Sequence, residues 1–391
     1  MTRKSEDASR STIRDVAARA GVSASTVSRV LGGVYPVSGA TRTRVMRAVR
    51  EMDYVADARA KAVAGVGTPT LAFVLEDITG PSFAHMAYGV EREATRLGHL
   101  CLVCSTKGDV QHELEFVEMM RAQRAAAVIL VGGAADTPEY RERTRRIADS
   151  LASAGSRLVL CGRPPLGPGA PVTVIEYDNE GGAYALVAHV LSQGHRRILF
   201  LGGRSDHTTA QGRERGFLAA HRARGLEPDP ALLLHGDFTR DSGHRLMRQA
   251  LKEGLEFTAV VAATDMVAAG ALTALHEAGL DVPGDVSLAG YDDIPFARDL
   301  HPALTTVHVP YEELGRLAVR TALGRTPETP DEHLLLGTHV VVRDSVAAVK
   351  EQERAPVRSA SPAMRAPRSA RPAPPASPAD SGPTDAGRTP R

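Results

Sequence analysis

Apolar residues at Ile13, Val16, Ala17 and Ala20 keep the i, i+3, i+4, i+7 rhythm that lines up one face of a helix. Gly21 is the natural stop, because glycine alone turns left-handed without a Cβ penalty. Val22 plugs the corner, and Ser23 is placed to cap a second helix whose Val27, Val30 and Leu31 face back onto the first. After a loop, Ser38 caps a third helix predicted over residues 41–52, with Val45, Val49 and Met52 inward. Arg42, Arg44, Arg47 and Arg50 fall on its wet side. Two short helices around a tight glycine turn predict a helix-turn-helix, whose second helix would enter a DNA major groove. Its outward positions are Ala24, Ser25, Ser28 and Arg29, side chains suited to base edges and phosphates. The competing reading of the same pattern is a plain helical hairpin with a solvated face.

Residues 54–65 are Ala-rich and can form a helix, but one too short to be stable alone. Gly65, Gly67 and Pro69 then break the chain, so this stretch reads as a hinge. From Thr70 the period changes. Continuous apolar runs at 71–75, 100–104, 127–131, 158–161, 198–201, 260–263 and 286–288 alternate with helical periods at 82–97, 111–121, 140–154, 180–192, 211–224, 241–252 and 265–278. Such alternation predicts an α/β architecture of parallel sheets covered by helices on both faces. Seven units exceed one comfortable sheet, and the Pro/Gly-rich stretch 162–171 divides them into two lobes with a cleft at the carboxyl ends of the strands.

The predicted organisation is therefore a disordered lead-in (1–10), a three-helix DNA-binding domain (11–56), a hinge helix and linker (57–68) and a two-lobed core (69–349). Lobe 1 is expected at about 69–163 and 293–325, and lobe 2 at about 164–292 and 326–349. Residues 350–391 hold nine of the chain's 25 prolines among Ala, Ser and Arg, the composition of a disordered tail.

Composition adds an asymmetry. The 391 residues sum to +1, but residues 1–65 hold 12 Lys+Arg against 6 Asp+Glu and residues 351–391 hold 7 against 4, which leaves −8 for the middle. A basic head on an acidic body fits a DNA-binding module joined to something else. The N-terminus has no apolar signal core, and no apolar run reaches membrane-spanning length. The three cysteines suit a reducing cytoplasm. Cys101 and Cys104 have C-x-x-C spacing but sit on a predicted strand, where residues three apart face opposite sides and cannot share a metal.

T-I-R-D-V-A-A-R-A-G-V-S-x-x-T-V-S-R-V-L (12–31), followed by V-S-G-A-T-R-T-R-V and D-Y-V-A, resembles the head of LacI/GalR-family bacterial repressors. The likeness continues through G-H-R-R-I-L-F-L-G-G (194–203), G-D-F-T-R-D-S-G (236–243), A-T-D-M-V-A-A-G (263–270), V-P-G-D-V-S-L-A-G-Y-D-D-I-P (282–295) and P-A-L-T-T-V (302–307). It covers roughly residues 11 to 345. The resemblance implies a cytoplasmic, nucleoid-associated homodimer (sometimes a tetramer) on a pseudo-palindromic operator. It also implies a core like periplasmic sugar-binding proteins, with a small molecule in the cleft, a sugar or sugar derivative, that changes the lobe angle.

By the same resemblance Ala24, Ser25 and Arg29 occupy base-reading positions, and Ser23, Thr26, Ser28, Ser38, Thr41 and Tyr54 match hydroxyl donors to phosphate. Ala60 and Val63 match the minor-groove face of the hinge. Val63 stands where relatives carry a leucine wedge, and Ala56-Asp57 replaces Pro-Asn, which implies a shallower DNA kink. In the cleft, Arg213 matches a ligand-gripping arginine and Asp292 the acceptor facing it. Phe238 and Tyr311 match stacking aromatics, and Phe83 lies near the mouth. Thr264, Gly162 and Gly80 replace a frequent Asn, Asp and Asn, implying a ligand less hydroxyl-rich than a simple hexose, or one poorly bound. The other reading of Arg213 with Asp292 is a structural salt bridge between loops.

No nucleophile elbow, P-loop, H-E-x-x-H or phosphate-binding glycine motif is present, and the 14 histidines lack ligand spacing, so no enzyme, metal or cofactor is expected. A solute-binding protein would explain the lobes but not the basic head. A ligand-independent regulator of the same fold stays open.

Overall fold

Thr12 opens helix α1 (Ile13–Ala20) with a reciprocal capping box. Its side chain accepts from the Asp15 N–H, and the Asp15 carboxylate accepts from the Thr12 N–H at 2.8 Å. The helix ends at Gly21, at φ 63°, where the Val22 N–H reaches back to the Ala17 carbonyl at 3.0 Å. Ser23 Oγ then accepts from the Thr26 N–H (3.1 Å) at the start of α2 (Ala24–Gly32), and Ser38 caps α3 (Gly39–Glu51). Val16, Ala17, Ala20, Val27, Val30, Val45 and Ala48 form the small core of this three-helix unit. The computed structural model describes residues 11–32, 37–54, 69–324 and 333–349. The expected lead-in (1–10), the hinge with Ala60 and Val63, and the tail (350–391) fall outside the described residues.

The larger body holds two parallel sheets. The first has six strands in the order β11-β5-β4-β3-β1-β2, built from β1 (Thr70–Leu75), β2 (Leu100–Ser105), β3 (Ala127–Val131), β4 (Arg157–Cys161), β5 (Val172–Tyr177) and β11 (His333–Leu336). The second has the order β7-β6-β8-β9, from β6 (Ile198–Gly202), β7 (Leu233–His235), β8 (Ala259–Ala262) and β9 (Ser287–Ala289). Both have helices on both faces, as the unbroken apolar strands require. In β1, Leu71, Phe73 and Leu75 enter one core while Ala72 and Val74 enter another. In β6, Ile198 and Phe200 part from Leu199 and Leu201 in the same way.

Helices α4 (Pro81–Arg96), α5 (Val110–Ala122), α6 (Pro138–Ser153) and α11 (Tyr311–Ala322) cover the first sheet. Helices α7 (Asn179–Ser192), α8 (Thr208–Arg222), α9 (Arg240–Lys252) and α10 (Asp265–Glu277) cover the second. A short antiparallel pair, β10 (Thr306–His308) with β12 (His339–Val341), lies along the passage between lobes.

The lobe boundaries differ from the expected ones. The glycine- and proline-rich stretch after β4 is a loop within lobe 1, because β5 pairs with β4 in the first sheet, and β11 pairs with β5 there. Lobe 1 therefore gains 172–177 and 333–336, while residues 294–309 belong with lobe 2, where Thr305 bridges Ala289. An apolar run specifies a strand but not the sheet it joins. The strands β7, β10, β11 and β12 span only three or four residues and β5 is interrupted by Thr173 and Glu176, whereas the helical period of α11 (Tyr311, Leu314, Ala318, Ala322) is legible in the sequence but is not among the seven expected ones.

The run 100–104 was expected to be covered on both faces. It is an edge strand instead, leaving Leu100, Leu102 and Val103 exposed. Cys101 and Cys104 do face opposite cores. Among the described residues no helix is long and apolar enough to cross a membrane.

Candidate DNA-reading face and interlobe cleft

On α2, Ser25, Ser28 and Arg29 are exposed, as is Ser23 just before it. Ala24 departs from its expected outward position. It is half-buried, packed like Val22 against the domain core. Three hydroxyls at the start of α2 are joined, with Ser23 Oγ 2.8 Å from both Ser25 Oγ and Thr26 Oγ1. Ser38 Oγ donates to Thr41 Oγ1 at 2.9 Å while accepting from the Thr41 N–H. Tyr54 is half-buried, its ring against the domain core. Arg42, Arg44, Arg47 and Arg50 are exposed along α3. Ser23 and Ser38, expected to meet phosphates, thus cap the helices they precede.

Between the lobes lies a cavity of about 420 Å³. Its wall comes from the segments just past the strand ends: Phe83 after β1, Gly132 and Gly133 after β3, Gly162 after β4, His207 after β6 and Phe238 after β7. Backbone carbonyls end and helix N-termini begin there, which is why open α/β sheets bind ligands at that end. Two of these glycines, Gly132 (φ 88°) and Gly162 (φ 75°), hold left-handed turns that let the chain leave its strand without a side chain filling the cavity.

Arg213 and Asp292 meet at the cavity floor, 3.0 Å apart and 2% and 6% exposed. The rest of the Arg213 guanidinium is also engaged. It donates to Asn179 Oδ1 (3.0 Å), to the Ala263 carbonyl and to the Tyr177 hydroxyl (3.3 Å), and it stacks 3.8 Å over the Tyr291 ring. Burial works against this charge, but the Asp292 carboxylate and the surrounding tyrosines outweigh it and hold Arg213 protonated above its ordinary value. Burial pushes the Asp292 carboxyl upward, opposed by Arg213 and by the Tyr311 and Ser82 hydroxyls.

Asp292 joins the two lobes. Besides Arg213 of α8, it accepts from Tyr311 at the head of α11 (2.8 Å) and from Ser82 of α4 (3.2 Å), both in lobe 1. It does so at φ 110°, a conformation rare for a non-glycine residue, so the surroundings must hold it there. Asp265, fully buried behind, fixes that loop by accepting from the Ile294 N–H (2.9 Å) and Thr306 Oγ1 (2.6 Å).

The structure brings together all six sequence-predicted cleft residues: Phe83, Arg213, Phe238, Thr264, Asp292 and Tyr311. Thr264 also caps α10. Sequence reasoning missed Ser82, Tyr177, Asn179, His207 and Tyr291. Tyr291 precedes Asp292 in a quoted motif and was the one with a signal. The others converge only through folding.

Residues 12–57 match "Bacterial regulatory proteins, lacI family", and residues 187–346 match "Periplasmic binding protein-like domain". The HTH-type transcriptional regulator CelR of Thermobifida fusca is 34% identical over 343 residues, covering 86% of this chain and 98% of CelR. The chain belongs to the LacI family. The regulator's fold matches the crystal structure of the Lac repressor dimer bound to operator and the anti-inducer ONPF, with TM-score 0.75 and 26% identity over 87% of this chain and all of that one. It also matches a complex of CelR with cellobiose, with TM-score 0.62 and 33% identity over 86% of this chain and all of that one. The regulator is accordingly a DNA-binding transcriptional regulator, and its relatives are regulators and not enzymes.

Proposed function

We propose that the regulator is a cytoplasmic repressor that binds a pseudo-palindromic operator as a homodimer and answers to a sugar or sugar derivative in the interlobe cleft. The observation that carries the effector half is Asp292. This one buried carboxylate lines the cavity and ties lobe 2 to both Ser82 and Tyr311 of lobe 1. A hydroxylated ligand that recruits Asp292 or Arg213 must exchange bonds that hold the lobes in register, so occupancy and lobe angle are linked. Phe83 and Phe238 supply apolar faces for a sugar ring beside the charged floor.

For DNA, Arg29 is the base-reading residue, its fork suited to guanine O6 and N7. Ser25 reads at the helix start, and Ala24 contributes through the small gap it leaves. Ser23, Thr26, Ser28, Ser38, Thr41 and Tyr54 set register on phosphates. The exposed apolar edge at Leu100, Leu102 and Val103 supports a second copy docking on β2, since an uncovered apolar edge strand is otherwise an aggregation hazard. The domain limits follow the same division: a reading head (11–56), a hinge (57–68) and an effector core (69–349).

The test is capture of genomic DNA by the purified full chain, with and without cellobiose and a panel of mono- and disaccharides. A palindromic site that one sugar releases or tightens supports the reading. Failure to enrich any such site overturns it, and a footprint indifferent to every sugar favours the ligand-independent alternative. Arg29→Ala should cost about 1–3 kcal/mol at the cognate site and relax preference at one base pair per half-site. An unchanged sequence preference refutes that assignment.

A further inference from the structure

At the lip of the cleft, away from the Arg213–Asp292 floor, the lobes are joined backbone to backbone. The Thr208 N–H donates to the Ala134 carbonyl at 3.1 Å, the Ala134 N–H donates to Thr208 Oγ1 at 3.2 Å, and Ala135 bridges His207 in antiparallel fashion. His207 is the N-cap residue of α8, yet its side chain makes no capping bond. Its ring stands edge-on to Phe238, with centroids 5.7 Å apart, and closes onto Gly133. A Cβ on Gly133 would lie 2.2 Å from His207 Cε1 and 2.6 Å from Thr209 Oγ1, so only glycine permits this approach. The seam seals His207 Nδ1 from solvent without a hydrogen-bond partner among the described residues.

We propose that residues 133–135 and 207–208 form an interlobe latch that His207 makes pH-sensitive: it closes only over a neutral imidazole. The proposal rests on the reading that the lobes move relative to one another. The backbone bond from Thr208 to Ala134 and the bond from the Ala134 N–H to the Thr208 hydroxyl favour the closed seam, while the unpaired His207 Nδ1 opposes it. A protonated ring would bring a second donor and a positive charge into a seam where the Gly133 backbone approaches as an acceptor but where the Arg204 and Arg213 charges already stand.

The charges around the ring do not rescue the protonated form. On its own loop Arg204 and Asp206 neutralise each other (2.9 Å), and Arg213 approaches from α8. Across the seam Asp136 is already held by both ends of Arg141 at 2.7 Å, while Asp237, Glu76 and Asp77 line the cavity beyond. Burial, followed by the Arg204 charge, pushes the half-buried imidazole down to about 4. An open latch returns it to the ordinary range near ~6.5. The neutral form is thus the one the closed latch favours. Closure is undiminished above ~6.5 and weakens as pH falls from there toward 4, by about tenfold in the closed-to-open ratio between pH 7.5 and 5.5.

Hydrogen exchange of the full chain, without DNA or sugar, tests this separately from the operator and effector readings. Peptides covering 133–136 and 205–210 report the Ala134 and Thr208 amides, with rates corrected for intrinsic pH dependence and β3 and β6 as folded references. Protection at the latch should drop about tenfold from pH 7.5 to 5.5 while β3 and β6 stay protected, and His207→Gln should abolish the drop. A flat profile in the wild type, or an unchanged drop in His207→Gln, overturns the latch. Should His207→Gln not fold, exchange at the His207 Cε1 proton of the wild type decides. A midpoint well below 6 supports the proposal, and one near 6.5 refutes it.

Discussion

Replacing Asp292 with Asn keeps the shape of the cavity floor but removes the charge that Arg213 faces. Arg213 is 2% exposed, so its guanidinium cannot turn to water for compensation. Breaking one side of a buried pair typically costs about 3–5 kcal/mol. Here the loss falls at the low end, about 3 kcal/mol, because Asn179, the Ala263 carbonyl, the Tyr177 hydroxyl and the Tyr291 face still hold the guanidinium. Arg213→Met, made alone and with Asp292→Asn, completes a double-mutant cycle. Urea unfolding followed by circular dichroism is the assay, since the chain has no Trp. The double variant should be more stable than the sum of the singles predicts by about 2 kcal/mol. Additivity within about 0.5 kcal/mol would show that the two residues act independently, and would refute the account of Asp292 as the partner holding Arg213.

Two further outcomes concern the crossing of α4 and α11. A Cβ at Gly89 would lie 2.2 Å from the Glu312 carbonyl oxygen, so Gly89→Ala should force the helices apart and lower stability by about 1–3 kcal/mol in the same assay; an unchanged midpoint would refute the close approach. Glu93, buried in α4, accepts from Arg96 (2.7 Å) and from Arg320 of α11 (2.8 Å). The Arg96 hydrogen bond leads in holding its carboxyl at about 2, against burial and with help from Arg320. A carboxyl lowered in the folded state stabilises above its unfolded value and loses that contribution as pH falls from about 4.5 toward 2. Both arginines are partly solvated, so the contribution is discounted to about 1–2 kcal/mol. Glu93→Gln should flatten thermal stability between pH 5 and 3, and a profile as steep as the wild type would count against this bridge.

The sequence by itself determined what depends on local order. The glycine turn at Gly21, the caps at Thr12, Ser23 and Ser38 and the apolar stripes specify three helices, because capping and periodicity act within a few residues. The alternation of apolar strands and amphipathic helices likewise dictated parallel sheets, and with them a site at the strand ends. The family motifs then picked out Arg213, Asp292, Phe238 and Tyr311 before any contact was visible. Only the tertiary structure decided which sheet β5 and β11 joined, since strand pairing is settled by neighbours distant in the chain. It also decided that β2 lies at an edge and that Ala24 tucks inward. The same holds for the cleft's remaining partners: Asn179, 34 positions from Arg213, reaches it across the packed helices of lobe 2, while Tyr177 and Ser82 of lobe 1 reach Arg213 and Asp292 only where the two lobes meet. His207 shows the difference most sharply. In the sequence it is one histidine among 14, and its sealed nitrogen exists only because Gly133, 74 residues earlier, leaves room for the ring.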